Sequence, residues 1–203
     1  MVDNFDLIRQ HLHFQNNNSF YFVQILRRKK ENPELKSYSI PVESFYIFSL
    51  EDFDKYKPHI IRLCEEHRAR AYIKMNCLDI ESVLLKQIAD ITEILRNKTW
   101  KGIASTFNSA CGECGKQKGL DALYLIDLDG EYAEKRDEIR SFINEQEPRN
   151  VSEKIVVEVP TKNGYHFLSL GFNPQEFRQK YPNIDMHKDG ITLLYYPECC
   201  CKN

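Results

Sequence analysis

Asp127 and Asp129 close the apolar run Tyr124-Leu-Ile-Asp-Leu-Asp129. Side chains alternate along a strand with period two, so both carboxylates leave the same face. That arrangement suits a pair of divalent cations, because two hard ions about 3.5–4 Å apart clamp the attacking and leaving oxygens of a phosphoryl transfer. The same Asp-x-Asp-Gly at a strand end also makes an ordinary turn, and the motif alone leaves both readings open. Three later segments bear on the choice: Thr161-Lys-Asn-Gly-Tyr-His166, Ile184-Asp-Met-His187 and Ile191-Thr-Leu-Leu-Tyr-Tyr196.

Lys154 to Val159 reads as a strand, Asn163-Gly164 as a two-residue hairpin loop and Tyr165 to Leu170 as the return strand. With that loop Lys162 pairs with Tyr165 and Thr161 lies opposite His166, placing hydroxyl and imidazole on one face. A lone strand histidine is more often structural than catalytic. Beside a phosphate-handling metal site it becomes a donor to a triphosphate oxygen, with Lys162 as a second cation. Downstream, Asp185-Met-His-Lys-Asp189 offers two further carboxylates four residues apart.

An Asp-x-Asp at a strand end, a Gly-x-His hairpin 37 residues on (129 to 166) and an Ile-Asp-x-x-x-Asp-Gly leading into a Tyr-Tyr-Pro strand are similar to the catalytic core of archaeo-eukaryotic primases. Within that superfamily the chain most resembles the primase-polymerase domains of phages and plasmids, over roughly residues 120–197. The resemblance implies that Asp127, Asp129 and Asp185 ligate Mg²⁺ or Mn²⁺ and that His166 contacts the incoming nucleotide. Asp185 rather than Asp189 is favoured as third aspartate because it follows the apolar Ile184, as in the family pattern. It also implies an RNA-recognition-like palm and template-directed nucleotidyl transfer, with nucleoside triphosphates and a DNA template or primer as partners. Domains of this type often precede a helicase; this chain stops at Asn203, so the expectation is a stand-alone catalytic subunit, or a degenerate relative, served by a separate helicase. A non-catalytic nucleic-acid-binding module on the same scaffold and a two-metal nuclease are the competing readings.

The 203 residues suffice for one domain, or for a core with a smaller lobe. A formal charge of −2 argues against a strong independent grip on DNA, although local cation patches can suffice. No apolar run approaches 18 residues and the N-terminus lacks a basic start, so the expectation is a cytosolic protein with no membrane partner. Seven cysteines in such a compartment suggest metal or nothing. Cys111 and Cys114 form a C-x-x-C that could hold Zn²⁺ with help from Cys199-Cys-Cys201, but the second C-x-x-C of a usual zinc site is missing, and a glycine-rich loop from Cys111 to Gly119 is the plainer reading.

The elements that must position these groups alternate along the chain. Asp3–His13, Glu51–His67 (with Pro58 as a kink or restart), Asp79–Asn97, Trp100–Ser109, Gly130–Asn144 and Asn173–Tyr181 read as helices, and Phe20–Arg28, Tyr38–Phe48 and Arg68–Met75 as strands. Helix 79–97 carries Val83, Leu84, Ile88, Ile91 and Leu95 at helical spacing, with Asp79 as N-cap. Strand 68–75 puts Arg68, Arg70, Tyr72 and Lys74 on one face, where they could bind phosphates and stack a base, or simply meet solvent. Arg27 to Lys30 reads as a solvated hairpin tip. The fold class is α/β of the α+β kind, a two-layer sandwich: an N-terminal αβ lobe over 1–100 and the palm-like unit over 101–203, compact enough to form one domain.

Overall fold

The computed structural model describes residues 1–149 and 151–198. It is a mixed α+β protein with helices packed on two antiparallel sheets. The first sheet contains β1 (Val2–Asp3), β2 (Ser19–Arg28), β3 (Ser39–Ile47), β4 (Arg70–Asp79) and β9 (Ile191–Tyr196), in the order β1-β9-β4-β2-β3. The second contains β5 (Tyr124–Asp129), β6 (Ile155–Pro160), β7 (Gly164–Ser169) and β8 (Asp185–His187), in the order β6-β7-β5-β8. A boundary near residue 100 does not separate the sheets, because β9 from the C-terminal half lies between β1 and β4.

β2 alternates apolar side chains so that Tyr21, Val23 and Ile25 join one core, while Phe20 and Phe22 join another on the opposite face. A central strand buried on both faces needs such a run of aromatic and β-branched residues. The first core is closed by α1 (Phe5–Arg9) and α2 (Leu50–His67) through Phe5, Phe53 and Ile60. Ser49 caps α2 by accepting from the Asp52 amide, and the helix runs through Pro58 without interruption. Leu125, Val157 and Leu168 of the second sheet reach the same core.

Ile126, Leu128 and Phe167 point the other way. They are covered by α6 (Arg136–Glu145) and α7 (Pro174–Lys180) through Ile139, Ile143 and Phe177. That alternation positions the site: with Ile126 and Leu128 committed to the core beneath the helices, Asp127 and Asp129 must face the first sheet.

α3 (Ile80–Asn97) begins where sequence places it, with the Asp79 side chain accepting from the Ser82 amide. Cys111 belongs to α4 (Thr106–Glu113), not to a loop. A four-residue turn of helix, α5 (Glu131–Glu134), follows β5.

Candidate functional site

β5 pairs with β7 on one side and β8 on the other. Asp127 is the Cα partner of His166 in the first ladder and of Asp185 in the second, and Asp129 follows two residues along β5. His166, Asp127 and Asp185 therefore form a row across three adjacent strands, and Asp129 shares their face. β8, only three residues long, was hidden in sequence because Asp185-Met-His187 is too short to show a period.

The row borders a cleft of about 870 Å³ between the two sheets, in the size range of small-ligand sites. Arg28, Tyr38 and Tyr72 line it from the first sheet. Arg28 is the cation that sequence reasoning missed. It ends β2, where β3 brings Tyr38 beside it, and its guanidinium donates to both the Tyr38 and Tyr72 hydroxyls. The basic run gave no hint of which of its four residues turns inward.

Asp127 is the electrostatically strained member. Its carboxyl is raised from 3.8 to about 6, first by burial and then by the charges of Asp129 and Asp185. Its Oδ1 is buried without a hydrogen-bond partner. His166 Nε2 lies 3.5 Å from that oxygen, but burial lowers the imidazole to about 4, so the contact is not an ion pair at neutral pH. His166 Nδ1 sits 3.0 Å from the Thr192 hydroxyl of β9. If that hydroxyl donates, the remaining proton is fixed on Nε2, facing the acidic row.

Hard carboxylate oxygens, one of them orphaned, match the donors Mg²⁺ or Mn²⁺ prefer. Among the described residues, however, no three Asp, Glu, His or Cys side chains converge closely enough to chelate an ion. In this conformation the set is an open acidic face, not a closed chelate.

The hairpin differs from its expected register. Pro160 pairs with Tyr165 and Val159 with His166, so the loop is Lys162-Asn163 and Thr161 faces Gly164. Thr161 N donates to Gly164 O, and Gly164 N donates to Thr161 Oγ1. The shift is two residues, which preserves faces, so Thr161 still shares a side with His166 but no longer stands opposite it. Gly164 is required by close approach, since a Cβ there would lie 1.9 Å from the Leu128 carbonyl oxygen. Gly130, at φ +61°, supplies the turn after Asp129. The turn and the acidic pair thus coexist.

The basic strand needs three corrections. Arg68 is not in β4: it is the left-handed C-cap of α2, φ 49°, and does not line the cleft. Arg70 does line the cleft, but it is paired with the buried Glu31 and lies over the Tyr196 ring. Lys74 is buried, and its ammonium donates to the carbonyls of Cys111, Gly112 and Cys114. It caps the C-terminal end of α4, where carbonyls lack partners and the helix dipole is negative. The period-two pattern gave the correct face but could not show that α4 covers part of it.

Lys162 keeps its expected place at the cleft, its ammonium 5.1 Å from the Tyr196 ring centroid. Asp189 also lines the cleft, but its Oδ1 accepts from Asn76 Nδ2 at 2.8 Å. Asp185 is therefore the carboxylate aligned with Asp127. Cys111 is buried and Cys114 partly so, and burial pushes the Cys111 thiol up to about 12, which opposes the thiolate that zinc requires. Cys199, Cys200 and Cys201 lie outside the described residues.

Compared with protein-family models, curated proteins and solved structures, the chain matches none of them. Among the described residues no helix is long and apolar enough to cross a membrane.

Proposed function

We propose that the cleft carries out metal-dependent nucleotidyl transfer on a nucleic-acid template, making or extending a primer from nucleoside triphosphates. The observation that carries this reading is the row His166–Asp127–Asp185 across β7, β5 and β8, with Asp129 on the same face. Asp127, Asp129 and Asp185 would hold Mg²⁺ or Mn²⁺. Bound there, the ions would neutralise charge on the phosphoryl oxygens and align the attacking and leaving oxygens.

The protein's own part is positioning and electrostatics. His166, neutral, would donate its Nε2 proton to a triphosphate oxygen. Arg28 and Lys162 would approach the phosphates from opposite walls of the cleft, and Tyr38 offers a half-free aromatic face. The nucleophile would be a nucleotide hydroxyl, so no protein nucleophile is needed. A duplex template would have to be opened by a helicase, and the work would be done in the cytosol.

The test is incubation with end-labelled primer–template DNA and Mn²⁺, with and without nucleotides. Nucleotide-dependent lengthening is the expected result. Shortening would replace the reading with nuclease chemistry, and binding without either change would leave a nucleic-acid-binding module.

A further inference from the structure

The apolar stripe of α3, which by period should face the core, faces away from it. Leu84, Leu85, Ile88 and Leu95 are 43%, 69%, 60% and 56% exposed, while Val83 is the buried residue of the helix. α4 occupies a different flank, where Gln87 donates to Thr106 Oγ1 and Lys86 bridges to Glu113. Among the described residues nothing covers the stripe. A contiguous apolar strip of this length on a water-facing helix marks an interaction surface.

The spacing and the charges say what fits it. The exposed Leu84, Ile88 and Leu95 and the half-buried Ile91 recur at intervals of four, three and four, the seam of a helix that packs on another helix. Glu81 stands one turn before the seam and Lys98 just after it. Glu81 accepts from Asn18 Nδ2 through Oε1, leaving Oε2 for another donor.

We propose that the stripe joins two copies of this chain, with their α3 helices antiparallel about a two-fold axis between Ile88 and Ile91. In that register Leu84 meets Leu95 of the other copy, Ile88 meets Ile91, and Glu81 meets Lys98 at both ends. A parallel pair would set Glu81 against Glu81 and Lys98 against Lys98. The charge pattern therefore complements a second copy of itself in the antiparallel sense and opposes the parallel one, and the antiparallel pairing repeats each contact about the two-fold axis. The inference does not depend on the nucleotidyl-transfer reading, since no residue of α3 lines the cleft.

Sedimentation velocity of the full chain from about 1 to 100 µM tests it, at concentrations bracketing a moderate dimer affinity. The wild type should form a concentration-dependent dimer. Ile88→Glu should be monomeric with an unchanged far-UV circular dichroism spectrum, because the side chain is exposed; Leu95→Ser, also exposed and in the seam, is the second variant should that one fail to fold. Glu81→Lys and Lys98→Glu should each raise the dissociation constant about tenfold, since each places two like-charge pairs in the contact, and the double reversal should restore it. A wild type monomeric throughout, including one that uses the stripe to bind lipid vesicles or another protein, overturns the proposal. So does a dimer indifferent to Ile88→Glu and Leu95→Ser, or charge reversals that fail to rescue one another.

Discussion

Asp127 and Asp185 are direct partners across the β5–β8 ladder. Like charges facing each other on one sheet face destabilise it, so the fold holds these carboxylates where a cation would relieve them. Asp127→Asn or Asp129→Asn should abolish nucleotide incorporation without lowering the melting temperature of the metal-free protein. Mn²⁺ should stabilise the wild type by mass action and stabilise either variant less. Incorporation assays and thermal melts with and without Mn²⁺ check both halves, and wild-type incorporation by either variant would sink the site.

The raised Asp127 carboxyl makes a pH prediction with a definite sign. Its folded value, about 6, exceeds the ordinary 3.8, so between those values the native protein holds a proton that the unfolded chain releases. The associated stability is present at low pH and lost as pH rises through about 6. Asp127→Asn should therefore be more stable than the metal-free wild type at pH 7, by of order 1 kcal/mol once solvent screening of the one-third-exposed side chain is allowed for. Near pH 4.5 the difference should shrink. Chemical denaturation in a chelator at the two pH values measures it, and a constant difference would mean that burial and the neighbouring carboxylates do not raise Asp127.

The legible parts of the fold were those with a long period or strong punctuation. Asp79 announced the start of α3, and strand 191–196 has its expected bounds. The acidic face was legible because Ile126 and Leu128, alternating with Asp127 and Asp129, had to enter a core. Sequence could not show what tertiary packing decides. Lys74 looked like a surface cation until α4 presented three carbonyls to it. Arg28 looked like a hairpin tip until β3 and β4 placed tyrosines beside it. The stripe on α3 was legible as one apolar face, but periodicity does not report what lies against it.

Gly164→Ala should disable the site through the backbone. A methyl at that position would overlap the Leu128 carbonyl and come within 3.2 Å of Asp129 Cα, and strand backbone cannot move aside without shifting the acidic pair. The expected outcome is a fall in melting temperature together with loss of incorporation. Gly130→Ala, strained by its positive φ but with open space around it, should cost about 1 kcal/mol. Equal melting temperatures for the two variants would contradict the close-approach argument.

Lys74→Met should separate capping from nucleic-acid binding. Removing the ammonium strips three carbonyls of their donor, costing about 2–4 kcal/mol if they remain buried. Affinity of the folded protein for single-stranded DNA should be unaltered, because Lys74 does not reach the cleft. Arg28→Ala should do the reverse, weakening nucleotide or DNA binding with little loss of stability. Fluorescence anisotropy beside thermal melts distinguishes the two, and a DNA-binding defect confined to Lys74→Met would restore Lys74 to the interface.

His166 is a neutral donor held in place by a neighbour on the other sheet. The imidazole is mostly buried and lowered to about 4, so at neutral pH it contributes a directed N–H and no charge. Thr192, donating to Nδ1, would keep that proton on Nε2 facing the acidic row. His166→Ala should therefore raise the barrier to incorporation by about 2–4 kcal/mol, as removal of one electrostatic donor does elsewhere, while Mn²⁺ still stabilises the nucleotide-free protein. Thr192→Val, which keeps the shape but not the hydroxyl, should give a smaller loss, because it frees the other tautomer without removing the ring. The ring should then titrate differently, and nitrogen-15 chemical shifts of His166 report the tautomer directly. If both variants lower the melting temperature but leave the rate and nucleotide affinity of the folded protein intact, the contact between β7 and β9 is only a strut between the sheets, and His166 leaves the active site.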